Sequence, residues 1–102
     1  MIRRVIVLED AARDIEAAID FYEAAEPGVG DYFRDSIIAD LRRLEHHFGQ
    51  HAVHFGFHRA LSDRFPQAIY YRDDETTRTV VAVLDMRRDP SRIHDELAGR
   101  EA

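Results

Sequence analysis

The arginine pair Arg87-Arg88, followed by Asp89, is a charged motif near the end of the chain. All 14 basic residues are arginine, so every fixed positive charge is a guanidinium. A guanidinium binds carboxylates and phosphates through paired hydrogen bonds, but it is a poor proton-transfer group. Such a motif could form a contact surface for an anion or a protein partner. The plainer interpretation is a solvated pair that contributes little.

Other arginine and histidine side chains could supply the groups that cleavage of a phosphodiester such as RNA requires. Attack by the 2′-hydroxyl needs a base, an acid and groups that stabilise extra charge on the phosphate. Arg59, Arg64 and Arg88 are the candidates for charge stabilisation. His94 or His58 could transfer protons, since histidine titrates near neutral pH. The net charge of −6 argues against a partner held mainly through its phosphates.

The histidines also raise the question of a metal site. We predict none, because His54 and His58 on one strand would lie about 13 Å apart at roughly 3.3 Å per residue. His47 and His51 have helical spacing, but Gly49 lies between them. There is no cysteine, which excludes disulfides and zinc–sulfur sites. No Gly-rich phosphate loop is present either, so we expect no cofactor.

Length and composition predict one globular domain over residues 1–102. Hydrophobic residues make up 45% of the chain and charged residues 33%, which is typical of a folded protein with one modest core. The apolar run near the N-terminus is too short for a signal peptide, and no stretch approaches membrane-spanning length. We therefore expect a cytoplasmic protein.

The first half of the sequence predicts a strand and two helices. Residues 2–8 are rich in β-branched residues, and Asp10 is a plausible N-cap of the first helix. That helix should end near Ala25, before Pro27-Gly28. The second helix has apolar residues at helical spacing, and Gly49 is its expected C-cap. These apolar positions are Phe33, Ile37, Leu41, Leu44 and Phe48.

The second half predicts strands and a short helix. Alternation over 55–61, the run 69–71 and the Val-rich run 79–84 each predict a strand, the last of them central in the sheet. Tyr70 and Tyr71 should point to opposite faces, one toward the core and one toward solvent or a partner. Asp89-Pro90 suits the start of a helix. The fold class is α+β: an N-terminal strand, an antiparallel helical hairpin packed on a mostly antiparallel sheet of about four strands, and a short C-terminal helix.

This order of elements, together with its motifs, resembles the RelE/ParE toxin superfamily over nearly the whole chain. Three segments are similar to the ParE-like pattern: Leu61–Arg72 with its Arg64-Phe65-Pro66, Val80–Pro90 with its basic pair, and the helix junction from Phe21 to Phe33. Gln67, Ala68, Asp85 and His94 depart from that pattern, and they stand where relatives have an aromatic, an arginine, a histidine and an aromatic.

The resemblance implies a toxin of a type II toxin–antitoxin system, closer to the ParE branch. Such a toxin would bind a protein target such as DNA gyrase, and a cognate antitoxin would neutralise it. The residues implied in these contacts are Arg64, Tyr71, Arg87, Arg88 and Asp89. A homodimer or a toxin–antitoxin hetero-oligomer is the expected assembly.

Two alternatives stay open. The first is a RelE-like, ribosome-dependent mRNA endonuclease that uses Arg59, Arg64, Arg88 and His94. Ala68 weakens it, because in the RelE branch that position is an arginine implied in handling the scissile phosphate. The second alternative is a degenerate binding module without toxicity.

Overall fold

The computed structural model describes residues 2–100 and has the α+β architecture that the sequence predicts. Three helices and five strands follow one another along the chain. Their bounds are β1 Arg4–Val7, α1 Glu9–Ala25, α2 Val29–His46, β2 Val53–His54, β3 Phe57–Leu61, β4 Gln67–Asp73, β5 Thr77–Asp85 and α3 Pro90–Ala98. Within residues 2–100, no helix combines the length and apolarity that crossing a bilayer requires.

The helical hairpin depends on its glycine junction. Gly28 has a φ of 93°, a left-handed conformation that favours glycine. The carboxylate of Glu23 accepts the backbone N–H groups of Gly28 and Gly30, both at 3.0 Å. A Cβ atom at Gly30 would lie 2.8 Å from the carbonyl oxygen of Ile19, so the two helices can approach closely only with glycine there.

Helix α1 begins one residue before Asp10, so the predicted N-cap is wrong.

The five strands form one sheet in the order β1-β5-β4-β3-β2. Strand β1 pairs with β5 in parallel, and every other pair is antiparallel. The predicted central strand is β5, which lies between β1 and β4. Its residues from Val80 to Leu84 are all buried.

The predicted strand over 55–61 is wrong at its start. Phe55 and Gly56 have φ angles of 57° and 87° and form a turn, so strand β3 begins at Phe57. The short strand β2 precedes the turn and makes five strands in all. His54 and His58 consequently lie on neighbouring strands, in adjacent register pairs, and not about 13 Å apart along one strand. The apolar–polar alternation is the same on both sides of the turn, so the sequence pattern did not reveal it.

Helices cover both faces of the sheet. The helical hairpin packs on one face, where the core includes Phe33, Ile37 and Tyr71. Helix α3 packs on the other face, where Ile93 and Leu97 contact a cluster that includes Tyr70. Tyr70 and Tyr71 do point to opposite faces, but both are buried. The expectation that one of them faces solvent or a partner is therefore wrong.

Helix α2 ends earlier than its apolar stripe predicts. Its last residue is His46, and Phe48 is 91% exposed, so Phe48 is not part of the core. Gly49 has a φ of 88° but lies in the following loop, so it is not the C-cap. Arg78 on β5 donates hydrogen bonds to the carbonyl oxygens of Leu44 and His47 at 2.8 and 3.1 Å. The buried guanidinium satisfies carbonyls at the helix end that lack a partner within the helix.

Candidate partner-binding site

The two arginines in the loop after β5, Arg87 and Arg88, have different hydrogen-bond partners. Arg87 folds back on Asp85, with Nη2 at 2.8 Å from Oδ2 and the backbone N–H at 2.8 Å from Oδ1. The hydrogen bond from the Arg87 side chain is the main reason that the pKa of Asp85 is lowered. Asp85 is therefore ionised at neutral pH and paired. Arg87 is nevertheless 65% exposed in its side chain, so one face of the guanidinium remains available.

Asp89 has a structural role. It is the N-cap of α3, and its carboxylate accepts the backbone N–H and the hydroxyl of Ser91, both at 3.0 Å. The hydrogen bond from the Ser91 backbone lowers the pKa of Asp89. Pro90 follows at the first position of the helix, as predicted. This cap fixes the direction in which the loop leaves β5.

Arg88 lines an open groove of about 410 Å³ between α1 and the end of β5. Within residues 2–100, the Arg88 guanidinium has no hydrogen bond or ion pair, unlike that of Arg87. The rest of the lining comes from α1, β4 and β5: Asp14, Ala17, Ala18, Phe21, Gln67, Val83 and Asp85. We call this space the α1–β5 groove.

Asp14, which lines the α1–β5 groove, forms an ion pair with Arg100. Asp14 on α1 binds Arg100, with Oδ1 at 2.8 Å from Nη2, and it also accepts the backbone N–H of Val83 at 3.0 Å. Arg100 donates in turn to the carbonyl oxygen of Val81 at 3.2 Å. Both side chains of the pair are 13% exposed. Asp14 therefore does not lie on a solvated face of α1.

Arg64 lies at the β3–β4 turn and contacts the helical hairpin. Its Nη1 atom donates to the hydroxyl of Tyr32 at 2.8 Å, and its guanidinium carbon lies 5.8 Å from the centre of that ring. The side chain is exposed, so Arg64 remains accessible to a partner.

The four ribonuclease candidates lie on different sides of the sheet. Arg59 pairs in register with Tyr70, so its side chain faces the side of the sheet that α3 covers. His94 lies on α3 itself, and the centre of its ring is 6.2 Å from that of Phe55. Arg64 contacts α2, and Arg88 lines the groove beside α1. The sheet therefore separates Arg59 and His94 from Arg64 and Arg88. Ala68 is fully buried and has no ionisable group to bridge the two pairs.

Tyr71 does not belong to an accessible site. It is fully buried on the hairpin side, and its hydroxyl lies 2.7 Å from Nδ1 of His51. Burial is the main cause of its raised pKa. A partner would reach Tyr71 only after the loop that carries His51 moved away.

No metal site appears among residues 2–100. His47 and His51 do come together, but their rings are stacked, with centroids 4.0 Å apart and planes at 19°. A metal binds in the plane of an imidazole ring, so two stacked rings cannot share an ion in this geometry.

Sequence reasoning did not find Phe21, Gln67 or the Asp14–Arg100 pair as parts of a site. Asp14 and Arg100 are 86 positions apart, and no local pattern links them. No pattern in the sequence marked Phe21, which is 63% exposed, as part of a site.

No family model and no curated protein sequence matches the chain. Among solved structures, it is similar to a chain described as "Chromosomal ParDE TA system from P. aeruginosa". The match has a TM-score of 0.68 at 16% sequence identity and covers 80% of this chain and 94% of that chain. Because the sequence identity is only 16%, this similarity shows the fold alone. The chain therefore has a ParE-like fold, as its resemblance to the RelE/ParE toxin superfamily implied.

Proposed function

We propose that this chain is the toxin of a type II toxin–antitoxin module, that it acts by binding a protein target such as DNA gyrase, and that a cognate antitoxin neutralises it. The observation that carries the proposal is the position of Arg88. On a ParE-like fold, its guanidinium lines an open groove without a partner of its own within residues 2–100. A cytoplasmic location follows from such a target.

The separation of the candidate catalytic residues favours binding over chemistry. A general base or acid must lie within hydrogen-bond reach of the proton it moves, directly or through one water. His94 lies on α3 and Arg88 lines the groove beside α1, so the structure does not gather these two side chains into one site. The RelE-like endonuclease is therefore the second candidate, and the non-toxic binding module is the third.

Inducible expression without the antitoxin tests the proposal. We expect growth arrest, inhibition of gyrase supercoiling by the purified protein, and intact cellular mRNA in primer extension. Arg88→Ala should weaken the arrest. The matched control is Arg92→Ala, which removes another exposed arginine from α3 and should leave the arrest unchanged.

Other outcomes separate the candidates. Growth arrest with mRNA cleavage and normal supercoiling would favour the endonuclease. If the folded wild-type protein is expressed and growth continues, the toxin proposal is wrong and the non-toxic binding module takes its place. Equal arrest by wild type and Arg88→Ala would remove Arg88 from the site.

A further inference from the structure

We infer that two copies of this chain pair through the outer edges of their β1 strands, antiparallel about a twofold axis that passes beside Ile6. The two five-stranded sheets then form one continuous sheet. This assembly is argued from the residues of β1 and does not depend on the proposed function. Three features carry it: the unpaired backbone of β1, the lack of protection at its edge, and the order of charges around the strand.

Strand β1 is the last strand on one side of the sheet, and every second residue of it bonds to β5. The N–H groups of Arg4 and Leu8 donate to carbonyl oxygens of β5 and of the turn before it, both at 3.0 Å. Val5 and Val7 therefore direct their N–H and carbonyl groups away from β5. Within residues 2–100, these four backbone groups have no hydrogen-bond partner.

One antiparallel register satisfies all four of these groups. In it, Val5 of each copy lies opposite Val7 of the other, and the two residues exchange N–H···O bonds in both directions. A register centred on Val5 would need the N–H of Arg3, which already donates to the carbonyl of Glu45 at 2.9 Å. A register centred on Val7 would place Val5 opposite the first turn of α1. The twofold axis therefore passes between the two Ile6 residues.

The edge of β1 lacks the features that usually keep edge strands from pairing. Natural edges are protected by a proline, a bulge, an inward-pointing charge or a very short strand. The four residues of β1 pair with β5 without a bulge, and the residues from Val5 to Val7 include neither a proline nor a charge. At the opposite edge of the sheet, β2 has only two residues. The edge that β1 leaves open is therefore the one suited to a further strand.

An open cleft of about 220 Å³ lies beside this edge, between β1 and α2. Val5 and Val7 line it together with Ile38, which is 40% exposed, and its charged residues, Arg42 and Glu45, have opposite signs. The side chains of Val5 and Val7 point to the hairpin face of the sheet. Antiparallel pairing would place Val7 of the second copy opposite Val5 on that face, where it would cover Ile38.

The charges around β1 match an antiparallel arrangement of two copies. Arg3 and Arg4 precede the apolar run of the strand, and Glu9 and Asp10 follow it. Antiparallel pairing brings the basic end of one copy beside the acidic end of the other, whereas parallel pairing brings like charges together. Arg4 is exposed and has no ion pair within residues 2–100, whereas Arg3 and both acids also have partners in their own chain. The first contact to expect is therefore Arg4 with Glu9 of the second copy.

A single cysteine at the twofold axis tests the register, because the chain has no cysteine of its own. The two Ile6 residues would form a non-hydrogen-bonded pair, whose Cα atoms lie about 4.5 Å apart, within the range of a disulfide. Arg4 is two residues from the axis, so the two Arg4 Cα atoms would be at least about 13 Å apart at roughly 3.3 Å per residue. We expect Ile6→Cys to form a cross-linked dimer under mild oxidation, and the more exposed Arg4→Cys to remain largely unlinked.

Sedimentation of the wild-type full chain should show a species with the mass of two chains. A wild-type protein that stays monomeric at millimolar concentration would overturn the inference. Equal cross-linking of Ile6→Cys and Arg4→Cys would do the same, because it would indicate random collision. Neither measurement uses growth arrest, so a failure here leaves the proposed function as it stands.

An exchange of charges tests the ends of the interface in the same sedimentation experiment. Arg4→Glu and Glu9→Arg should each weaken dimerisation about tenfold, because each variant places like charges together at both ends of the dimer. An equimolar mixture of the two variants should dimerise as wild type does, since both ends then pair opposite charges. Circular dichroism establishes that each variant is folded. A mixture that dimerises no better than its components would overturn the antiparallel arrangement.

Discussion

Asp73 and Arg78 form an ion pair in which neither side chain is exposed to solvent. They are register partners where β4 turns into β5, and Nε of Arg78 lies 3.4 Å from Oδ1 of Asp73. Arg3 also donates to Asp73, at 3.0 Å. The guanidinium of Arg78 then reaches across the core to carbonyl oxygens at the end of α2 and in the next loop. One buried side chain thus links the sheet to the end of the hairpin.

Replacing Arg78 with methionine should destabilise the protein by about 3–5 kcal/mol, because it leaves the carbonyls of α2 without donors and Asp73 with Arg3 alone. Urea unfolding followed by circular dichroism measures the change. The matched control is Arg87→Met, which removes an exposed arginine and should change the free energy of unfolding by less than about 0.5 kcal/mol. Similar losses for the two variants would contradict the role given to Arg78.

The elements were predictable from the sequence where periodicity is strong. Periodicity predicted the two long helices and β5, whereas the Asp89-Pro90 pair predicted the start of α3. The contact of Arg78 with the end of α2 was not, because it joins residues 34 positions apart that share no local pattern. In the sequence, Arg78 is a charged residue just before a Val-rich run. The same pattern is typical of an exposed end of a strand.

The candidate site was predictable only in part, for the same reason. Arg87, Arg88 and Asp89 are adjacent in sequence, so their motif indicated a contact surface. The wall of the α1–β5 groove comes from a distant helix, and its shape depends on how α1 packs on β5. The burial of Tyr71 also depends on tertiary structure, since alternation along a strand does not say whether helices cover one face or both.

Removing the hydroxyl group should change the free energy of unfolding differently at Tyr70 and at Tyr71. Both are fully buried, but within residues 2–100 the Tyr70 hydroxyl has no hydrogen-bond partner. Tyr70→Phe should therefore leave stability unchanged or raise it by up to about 1 kcal/mol. Tyr71→Phe should cost about 1–2 kcal/mol, because it removes the partner of His51. Thermal or urea unfolding of the two variants provides the comparison, and a greater loss in Tyr70→Phe would contradict it.

Stability should fall as the pH drops below about 6.5, through His51. Burial is the main cause of its lowered pKa, followed by the positive charges of His47, Arg78 and His58. Because the pKa is lower in the folded state, the unfolded chain binds more protons between the two values. The contribution of His51 to the free energy of unfolding is therefore greatest above the unfolded pKa, and it decreases as the pH falls toward the folded pKa.

The test compares urea midpoints at pH 7.5 and pH 5.5 in wild type and in His51→Gln. The variant should lose less stability on acidification than wild type does. His94→Gln serves as the control, since His94 is exposed on α3, and it should keep the wild-type response. If His51→Gln and wild type respond equally to acid, His51 is not the group responsible.

The Asp14–Arg100 pair should stabilise the junction of α1, β5 and the segment after α3. Asp14→Ala removes the partner of a largely buried guanidinium and the acceptor of the Val83 N–H, so we expect a loss of about 2 kcal/mol. The control is Glu9→Ala, which breaks the exposed pair with Arg13 and should cost less than about 0.5 kcal/mol. Hydrogen exchange adds a local measurement: the Val83 amide should exchange faster in Asp14→Ala but not in Glu9→Ala. Unchanged protection of that amide would mean that Asp14 does not hold the Val83 N–H.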